Sequence, residues 1–372
     1  MNIKVVSPLP PARTGVADYA FTLSCELART MRVELVATLG KDATSDRGMH
    51  LYHIGNNSLH TEIYNWALRQ PGVTVLHDAV LNHFFLGQLD RSSYVDEFVH
   101  NYGEWMRQFA EQLWLGRASS SCDARYFRYP MLRRIVERSR VVIVHNPRAA
   151  KLVRDAASKG SPVPIVEIPH FIEEPNLPDD AERMAIRRRL DIPLDAIVIG
   201  SFGYQRPTKR LSSLLQAVKE ISAPYRVLLV GEFVSESYQQ AVKPLIERLP
   251  VIYRPYVSER EFWDLVAITD ICVNLRSPSA GETSGIAVKL AAAGKPVIVT
   301  DGQESVRYPA DSFWKIDAGE MEVAMLSEML RVLAKDQLLR VTVGASARHY
   351  VLDHHALPKV LKLYQKALQL AS

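Results

Sequence analysis

The sequence predicts an α/β fold of two domains, each with a parallel sheet covered by helices on both faces. Short apolar stretches rich in Val, Ile and Leu alternate with amphipathic stretches along the chain, a pattern typical of parallel strands that are buried on both faces. The chain has 372 residues, which favours two domains of ordinary size. A proline-rich, acidic segment at residues 172–180 interrupts the alternation, which then restarts. We therefore predict two doubly wound domains, with a ligand crevice between the carboxyl edges of their sheets.

Strands of the N-terminal half end in polar or turn-forming residues. Gly15 closes the proline-rich turn after the first strand, Asn56 follows the third strand, and His77 and Asp78 end the fourth. Since the carboxyl ends of parallel strands share one sheet edge, these residues are candidates for a binding site. Apolar periodicity predicts strands at 3–7, 32–37, 51–55, 72–78, 141–145 and 164–169, and helices at 18–29, 61–69, 79–89 and 95–114.

The C-terminal half repeats the alternation and closes with three helices. Pro278 and Gly281 break the chain after an apolar strand, and Gly294 followed by Pro296 ends the helix that starts at Gly285. We predict strands at 197–201, 225–231, 251–253, 270–275 and 296–300, and further helices at 211–221, 237–248, 259–268, 323–335, 340–350 and 357–370.

The acidic interruption sets the predicted domain boundaries. The N-terminal domain covers residues 1–172, a linker covers 173–183, and the C-terminal domain covers 184–350. Residues 351–372 form a last helix that can pack back on the N-terminal domain.

Composition and charge exclude several classes of protein. A net charge of +4 and a pI near 8.8 permit acidic partners, but no nucleic-acid recognition motif accompanies them. The three cysteines lack metal-ligand spacing, so we expect no metal site and buried, reduced thiols at Cys25 and Cys272. The first residues enter a strand directly and no apolar run approaches the roughly 20 residues that span a bilayer. We expect a cytoplasmic protein, at most peripheral to a membrane.

The loop at residues 281–285 reads Gly-Glu-Thr-Ser-Gly and lies between a strand and a helix. Backbone N–H groups at such a helix start can bind an anion, while the Glu282 carboxylate can accept hydrogen bonds from sugar hydroxyls. The alternative is that Thr283 or Ser284 caps the helix and Glu282 complements the helix dipole.

A second loop, at residues 203–210, is basic and also precedes a helix. Arg206, Lys209 and Arg210 suit a diphosphate, although a solvated basic loop is the alternative. The chain lacks a Walker sequence and a Gly-x-Gly-x-x-Gly sequence. For His77 and Asp78, a catalytic or sugar-contacting role stands beside a structural one.

These motifs, in this order and spacing, resemble those of glycosyltransferase family 4, whose members have the GT-B fold. The resemblance covers nearly the whole chain. It depends on residues 7–19, 54–56, 76–81, 144–145, 203–209, 230–232 and 274–285. The Gly-Glu-Thr-Ser-Gly loop is a variant associated with bacterial surface-polysaccharide enzymes, including those of lipopolysaccharide synthesis.

The resemblance implies roles for individual residues. Lys209, assisted by Arg206 or Arg210, would bind the donor diphosphate, and we expect its side chain to face solvent when no ligand is bound. Glu282 and His77 would contact the donor sugar. The remaining implied contacts are Gly15, Thr283, Ser284 and Gly285 at the diphosphate, and Asp78 and Asn56 on the acceptor or donor-sugar side.

The chain departs from the family pattern at the ribose contact. The family's second glutamate would stand eight residues after Glu282, where this chain has Leu290, preceded by Lys289. Tyr204 replaces an arginine that often follows the glycine of the phosphate loop.

The resemblance implies a metal-independent, retaining hexosyltransferase that needs no cofactor. Its donor would be a UDP- or GDP-sugar and its acceptor a glycan or lipid-linked glycan. A catalytically silent sugar-nucleotide-binding scaffold, a nucleotide-sugar epimerase and a phosphorylase are the alternatives. The arginine-rich, aromatic stretch at 125–140 can rest on the anionic inner leaflet of a membrane, or it can be a solvated helix face with core aromatics.

Overall fold

The computed structural model divides the chain into two compact units. Unit 1 comprises Met1–His170, Pro278–Thr283 and Leu357–Ser372, and unit 2 comprises Phe171–Ser277 and Ser284–Ala356. The structure describes residues 2–12, 14–37, 48–157 and 163–372. Arg13, which belongs to the first resembling motif, lies outside the described residues.

Unit 1 is built on a six-stranded parallel sheet with the strand order β2-β1-β3-β4-β5-β6. Its strands are β1 (Asn2–Val6), β2 (Arg32–Val36), β3 (Met49–Ile54), β4 (Val73–Leu76), β5 (Val141–Val144) and β6 (Ile165–Glu167). Its first seven helices are α1 (Gly15–Leu27), α2 (Thr61–Arg69), α3 (Asn82–Gln88), α4 (Arg91–Tyr102), α5 (Arg107–Leu115), α6 (Arg133–Arg138) and α7 (Pro147–Ala156).

Unit 2 has a second six-stranded parallel sheet, with the order β12-β11-β10-β7-β8-β9. Its strands are β7 (Ile197–Phe202), β8 (Tyr225–Val230), β9 (Val251–Arg254), β10 (Ile271–Asn274), β11 (Val297–Thr300) and β12 (Phe313–Ile316). Its helices are α8 (Asp180–Arg189), α9 (Leu211–Ala217), α10 (Glu236–Ile246), α11 (Glu259–Ile268), α12 (Gly285–Ala292), α13 (Glu322–Lys335) and α14 (Gln337–His354).

The last helix, α15 (Leu357–Leu370), belongs to unit 1. Its buried Tyr364 hydroxyl lies 2.9 Å from the hydroxyl of Tyr19 on α1. A hydrogen bond between two buried phenols satisfies both groups, so it joins the two ends of the chain within this unit.

Each sheet has a point at which its strand order reverses. In unit 1 this switch lies between β1 and β3, and in unit 2 between β7 and β10. The chain leaves the two strands in opposite directions at such a point, which opens a crevice at their carboxyl ends. The loops after β1, β3, β7 and β10 are therefore the places where each unit can bind a ligand.

Several elements differ from the sequence prediction. The helix predicted at 95–114 is two helices, because Gly103 adopts φ +96° and ends α4. Helix α7, which Asn146 caps, and strand β12 were not predicted. Helix α8 starts inside the predicted linker, where Asp179 and Glu182 form a capping box.

The exposure of the thiols differs from expectation as well. Cys25 is exposed, whereas Cys272 is buried as predicted. Cys25 lies on the outer side of α1, whose inner side carries Leu23 and Leu27. No helix in the described part of the chain is long and apolar enough to cross a membrane.

Candidate functional site

The switch point of unit 2 carries most of the predicted phosphate-binding residues. Strand β7 ends at Phe202 and continues into the basic loop, and the neighbouring β10 ends at Asn274 and continues toward α12. Both strands are fully buried, so they form a rigid base for the two loops. This sheet edge is where a doubly wound fold binds its ligand.

Gly203 lets the backbone of the basic loop approach α12 closely. It adopts φ +86°, and a Cβ placed on it would lie 3.2 Å from Lys209 Nζ and 3.3 Å from Ile286 Cγ1. A Cβ on Gly231, at φ +125°, would lie 2.4 Å from the carbonyl oxygen of Gly203. Glycine is thus required at position 231 by both conformation and space, and at position 203 by its positive φ. The side chain of Gln205 also holds the loop by donating to the Gly203 carbonyl over 2.9 Å.

Lys209 is buried in this loop, with 6% of its surface exposed, contrary to the prediction that it faces solvent without ligand. Its ammonium donates to the carbonyl oxygen of Phe202. Burial lowers the pKa of Lys209 well below its ordinary value, and the nearby guanidinium groups of Arg276 and Arg206 lower it further. Three basic side chains therefore converge at the carboxyl ends of β7 and β10.

Arg210 has a structural partner. Its Nε donates to Glu322 Oε1 over 2.9 Å, and Glu322 is fully buried and also accepts a hydrogen bond from Ser213. Arg210 itself adopts φ +56° at the start of α9. The guanidinium neutralises a buried carboxylate that would otherwise be costly, so Arg210 has a structural role in this unit, and its contact with the diphosphate stays a prediction.

Arg276 was missed among the predicted site residues. Its backbone N–H donates to Thr300 Oγ1 over 2.9 Å, and its guanidinium lies 3.3 Å from Ser284 Oγ. It stands directly after the end of β10, and this position was the signal in the sequence. An arginine is better suited than a lysine to hold a phosphate in a set orientation.

Ser284 caps α12, as the structural alternative predicted. Its Oγ accepts from Ala287 N over 3.2 Å and from Asn274 Nδ2 over 2.7 Å. The first backbone bond of the helix runs from Val288 N to the Ser284 carbonyl, so the N–H groups of Gly285 and the next residue precede it. Capping and anion binding at this helix start are compatible.

The preceding residues of the loop belong to unit 1. Asn146 Nδ2 donates to the Gly281 carbonyl and to Thr283 Oγ1, both over 3.0 Å. Thr283 donates in turn to the His145 carbonyl over 3.1 Å, so Thr283 does not cap α12. The Glu282 carboxylate accepts from Ala280 N over 2.8 Å. The loop that carries Glu282 is therefore tied to the end of β5.

His77 lies at the end of β4, half-buried among aromatic rings. Its Nε2 is 2.9 Å from His53 Nδ1, and its ring centroid lies 5.0 Å from the ring centroids of Tyr19 and His145. Burial lowers the pKa of His77 well below its ordinary value, with His145 and other histidines adding to the effect. The imidazole is consequently neutral near pH 7.

Two further histidines, His53 and His60, are completely buried beside His77. Burial lowers the pKa of His53 to about 3 and that of His60 to about 4. His60 Nδ1 donates to the backbone carbonyl of His53 over 3.0 Å. The sequence did not single out these residues, because they lie within an apolar strand and at a turn.

Asp78 and Asn56 stabilise the backbone near the switch point of unit 1. Asp78 Oδ2 accepts from Asn56 N over 2.8 Å, and Asn56 Oδ1 accepts from Phe84 N over 2.7 Å. Asn56 thereby satisfies an N–H in the first turn of α3, which has no side-chain cap of its own. These contacts give both residues a structural role, beside any contact with sugar.

Gly15 is the first residue of α1, where the Thr14 hydroxyl caps the helix. It is exposed, and no described atom lies within 4 Å of where its Cβ would be. Packing within unit 1 therefore does not require glycine here.

Leu290 stands at the position where the resembling family pattern has a ribose-binding glutamate, and it is completely buried. The neighbouring Lys289 Nζ lies 5.6 Å from the ring centroid of Phe262.

The basic, aromatic stretch is divided between surface and core. Tyr126 and Phe127 are buried in the core of unit 1, so they are unavailable to a membrane. Arg134 pairs with the nearly buried Glu97. Arg125, Arg128, Arg138 and Arg140 are exposed, and Arg125 pairs with Asp123.

The described residues contain no group of three His, Cys, Asp or Glu side chains placed to hold a metal ion.

The fold matches that of solved glycosyltransferases along the whole chain, although no protein-family model and no curated protein matches the sequence. HepE of Anabaena, solved with UDP and glucose, has a TM-score of 0.68 at 13% identity, with 99% of each chain covered. WaaG, a glycosyltransferase involved in lipopolysaccharide biosynthesis, has a TM-score of 0.62 at 15% identity over 100% of this chain and 99% of that one. Sucrose-phosphate synthase of Thermosynechococcus elongatus has a TM-score of 0.68 at 16% identity, with both chains fully covered. The chain has the GT-B fold, with one Rossmann-like parallel sheet in each unit.

Proposed function

We propose that this protein is a glycosyltransferase that takes a sugar from a nucleotide-sugar donor. The observation that carries the proposal is the buried Lys209 at the switch point of unit 2, with Arg206 and Arg276 near it. The solved relatives in fold support it, since HepE was crystallised with UDP, with UDP-glucose and with UDP and glucose together.

A buried lysine without a carboxylate partner is expensive to keep charged. No carboxylate in the described part of the chain pairs with Lys209, and two guanidinium groups oppose its protonation. A diphosphate would supply the missing negative charge and restore a favourable environment for all three cations. A positive charge on Lys209 that the bound diphosphate stabilises is what a site for a nucleoside diphosphate requires.

In this proposal the donor is a UDP- or GDP-hexose and transfer proceeds with retention, without a metal. The departing phosphate accepts the proton of the acceptor hydroxyl, so the reaction needs stabilised charge at the diphosphate more than a nucleophile. Lys209, Arg276 and the start of α12 would provide that charge as preorganised donors. Glu282 would accept hydrogen bonds from donor-sugar hydroxyls, and His77 would orient the sugar.

The acceptor in this proposal is a glycan or lipid-linked glycan of bacterial polysaccharide synthesis, reached at the cytoplasmic face of the inner membrane. The exposed Arg125, Arg128 and Arg138 support contact with anionic lipid. Cosedimentation with phosphatidylglycerol vesicles tests this part. Equal binding to phosphatidylglycerol vesicles and to neutral vesicles contradicts it. Binding that is unchanged after all three arginines are replaced by glutamine also contradicts it.

A sugar-nucleotide-binding scaffold is the second candidate. Leu290 fills the position of the family's ribose glutamate and is completely buried in unit 2, so that contact is lost. A scaffold of this kind would bind nucleotide but neither release nor transfer sugar. A nucleotide-sugar epimerase would instead convert the donor without an acceptor.

Melting temperatures with UDP, GDP, ADP and their sugars, followed by donor turnover with acceptor extracts, test the proposal. A ligand that binds only the folded protein raises its melting temperature, and we expect one diphosphate series to do so. Stabilisation followed by sugar transfer supports a glycosyltransferase, and stabilisation without turnover supports the scaffold. The absence of any stabilisation by nucleotides contradicts both.

A further inference from the structure

His53 and His77 form a hydrogen-bonded pair of imidazoles in unit 1. His53 Nδ1 and His77 Nε2 are 2.9 Å apart, with nearly stacked rings. His53 is completely buried and its Nε2 has no hydrogen-bond partner in the described part of the chain. His77 Nδ1 takes part in no hydrogen bond with a described residue. His77 thus has one ring nitrogen bound to His53 and the other available to a ligand.

Only one of the two nitrogens in this contact can carry the shared proton. If His53 carries its proton on Nδ1, it donates to His77 Nε2 and leaves a lone pair on its own Nε2. If His53 carries its proton on Nε2, a buried N–H donor has no acceptor. Orphaned buried N–H groups are rarer in native proteins than under-satisfied acceptors, so the first arrangement is favoured.

We infer that His53 is a positioning residue that holds His77 in the tautomer with its proton on Nδ1. His77 then offers a hydrogen-bond donor to the ligand, and its only basic nitrogen is occupied by His53. This rests on the proposed function for the identity of the ligand, which is a sugar oxygen of the donor or acceptor. His77 orients that oxygen and does not act as a general base.

The groups facing His77 support this assignment. His60, His145 and His170 approach the pair, and the ring of Tyr19 packs against His53, His77, His145 and His170. None of these groups carries negative charge near pH 7, so nothing in this cluster favours a protonated His77. A neutral donor is the state in which the cluster holds it.

The tautomer can be measured in the free protein. In nitrogen-15 spectra of the full-length, histidine-labelled chain, with His77→Gln used for assignment, we expect His77 Nδ1 to be protonated and Nε2 to be unprotonated. The opposite tautomer in the wild-type protein would overturn the inference. Because this readout needs neither donor nor acceptor, it stands or fails independently of the proposed glycosyltransferase activity.

Two variants of His53 test the functional consequence. His53→Asn keeps an N–H group at the position of Nδ1, and His53→Leu removes it. We expect the leucine variant to lose roughly tenfold to a hundredfold in sugar transfer through lost orientation, with free-nucleotide affinity unchanged, and the asparagine variant to recover most of the rate. The leucine variant should also gain an acid limb in its pH–rate profile, because His77 Nε2 becomes available for protonation.

Equal transfer rates in the wild-type protein and the leucine variant, with His77 in a single tautomer in both, would overturn the positioning role. If the leucine variant fails to fold, the wild-type tautomer and the transfer rate of the asparagine variant still test the positioning role of His53. If the wild-type protein transfers no sugar but shows the expected tautomer, the proposed function fails and the imidazole pair stands.

Discussion

At the scale of single residues, the polar side chains at the strand ends divide into two groups. Arg210, Asn56, Asp78 and Ser284 each have partners that the folded chain needs. Lys209 differs from them, because it is a buried amine without a carboxylate partner among the described residues. A residue that costs free energy in the ligand-free protein is a stronger indication of function than a residue with satisfied contacts.

Replacing Lys209 by methionine tests this distinction. Methionine fills similar space without a polar group, so we expect the free energy of unfolding of the ligand-free protein to stay the same or rise. The stabilisation by nucleoside diphosphate should disappear, and the barrier to transfer should rise by roughly 2–4 kcal/mol, as for the loss of one preorganised donor. Urea denaturation with and without nucleotide measures both effects. Lys219→Met, at an exposed position, is the matched control, and a wild-type nucleotide response in Lys209→Met would refute the diphosphate assignment.

The Glu282→Gln variant separates sugar contact from helix capping. Glutamine keeps an acceptor for Ala280 N and Ser279 Oγ but removes the charge. A lost charged hydrogen bond to a sugar hydroxyl is worth about 1.5–3 kcal/mol, so nucleotide-sugar affinity should fall while affinity for the free nucleotide persists. If Glu282 only complements the dipole of α12, stability falls by about 1 kcal/mol or less and transfer is unaffected. Calorimetric titration with UDP and with its sugar, with Glu220→Gln as the surface control, distinguishes the two.

At the scale of elements, the sequence predicted long periodic segments better than contacts between distant ones. The helices at 61–69, 259–268 and 357–370 agree with the structure to the residue, because their apolar periodicity and end signals are local. Strand β12 is four residues long and lies at the sheet edge, so it has little apolar pattern to detect. The role of Arg210 was not predictable either, because its partner Glu322 is 112 positions away.

The ion pair of Arg210 and Glu322 joins the start of α9 to the start of α13, so its loss should lower the free energy of unfolding. In Arg210→Ala the buried Glu322 carboxylate keeps only the Ser213 hydrogen bond, and we expect a loss of roughly 1–3 kcal/mol in the free energy of unfolding. The double variant with Glu322→Gln should recover part of this loss, because the unpaired charge is gone. Urea denaturation of the four proteins of the cycle measures it. A large fall in nucleotide affinity in Arg210→Ala with full stability would instead support the diphosphate role.

At the scale of the whole molecule, alternation of strands and helices predicted the α/β class but not the order of the strands. The two sheets have different orders, and both arise from the same alternation in the sequence. The order matters because it places the switch points, and with them Gly15 and Asn56 in unit 1 and Lys209 and Arg276 in unit 2. Their placement depends on non-local strand pairing, which a single sequence does not reveal.

The buried histidines of unit 1 predict how the stability of the molecule depends on pH. The pKa values of His53 and His60, about 3 and 4 in the folded chain, compare with about 6.5 in an unfolded chain. Between these pKa values the unfolded state binds more protons than the folded state. The free energy of unfolding therefore rises with pH in this range and falls on acidification below about pH 6.5. Two such groups contribute a slope of about 2.7 kcal/mol per pH unit, at 1.36 each.

Urea denaturation between pH 5 and pH 6, where the unfolded histidines are protonated and the folded ones are not, measures this slope. His60→Asn keeps an N–H donor for the His53 carbonyl, which His60 Nδ1 contacts over 3.0 Å, and removes one titrating group. We therefore expect the slope of the free energy of unfolding against pH to fall by about 1.4 kcal/mol per unit in this variant. His349→Asn, at an exposed position on α14, is the control for replacing a histidine by asparagine. If His60→Asn unfolds with the wild-type pH dependence, the imidazole of His60 is not held neutral by burial, because a group that is neutral in the folded state and charged in the unfolded state must contribute to that slope.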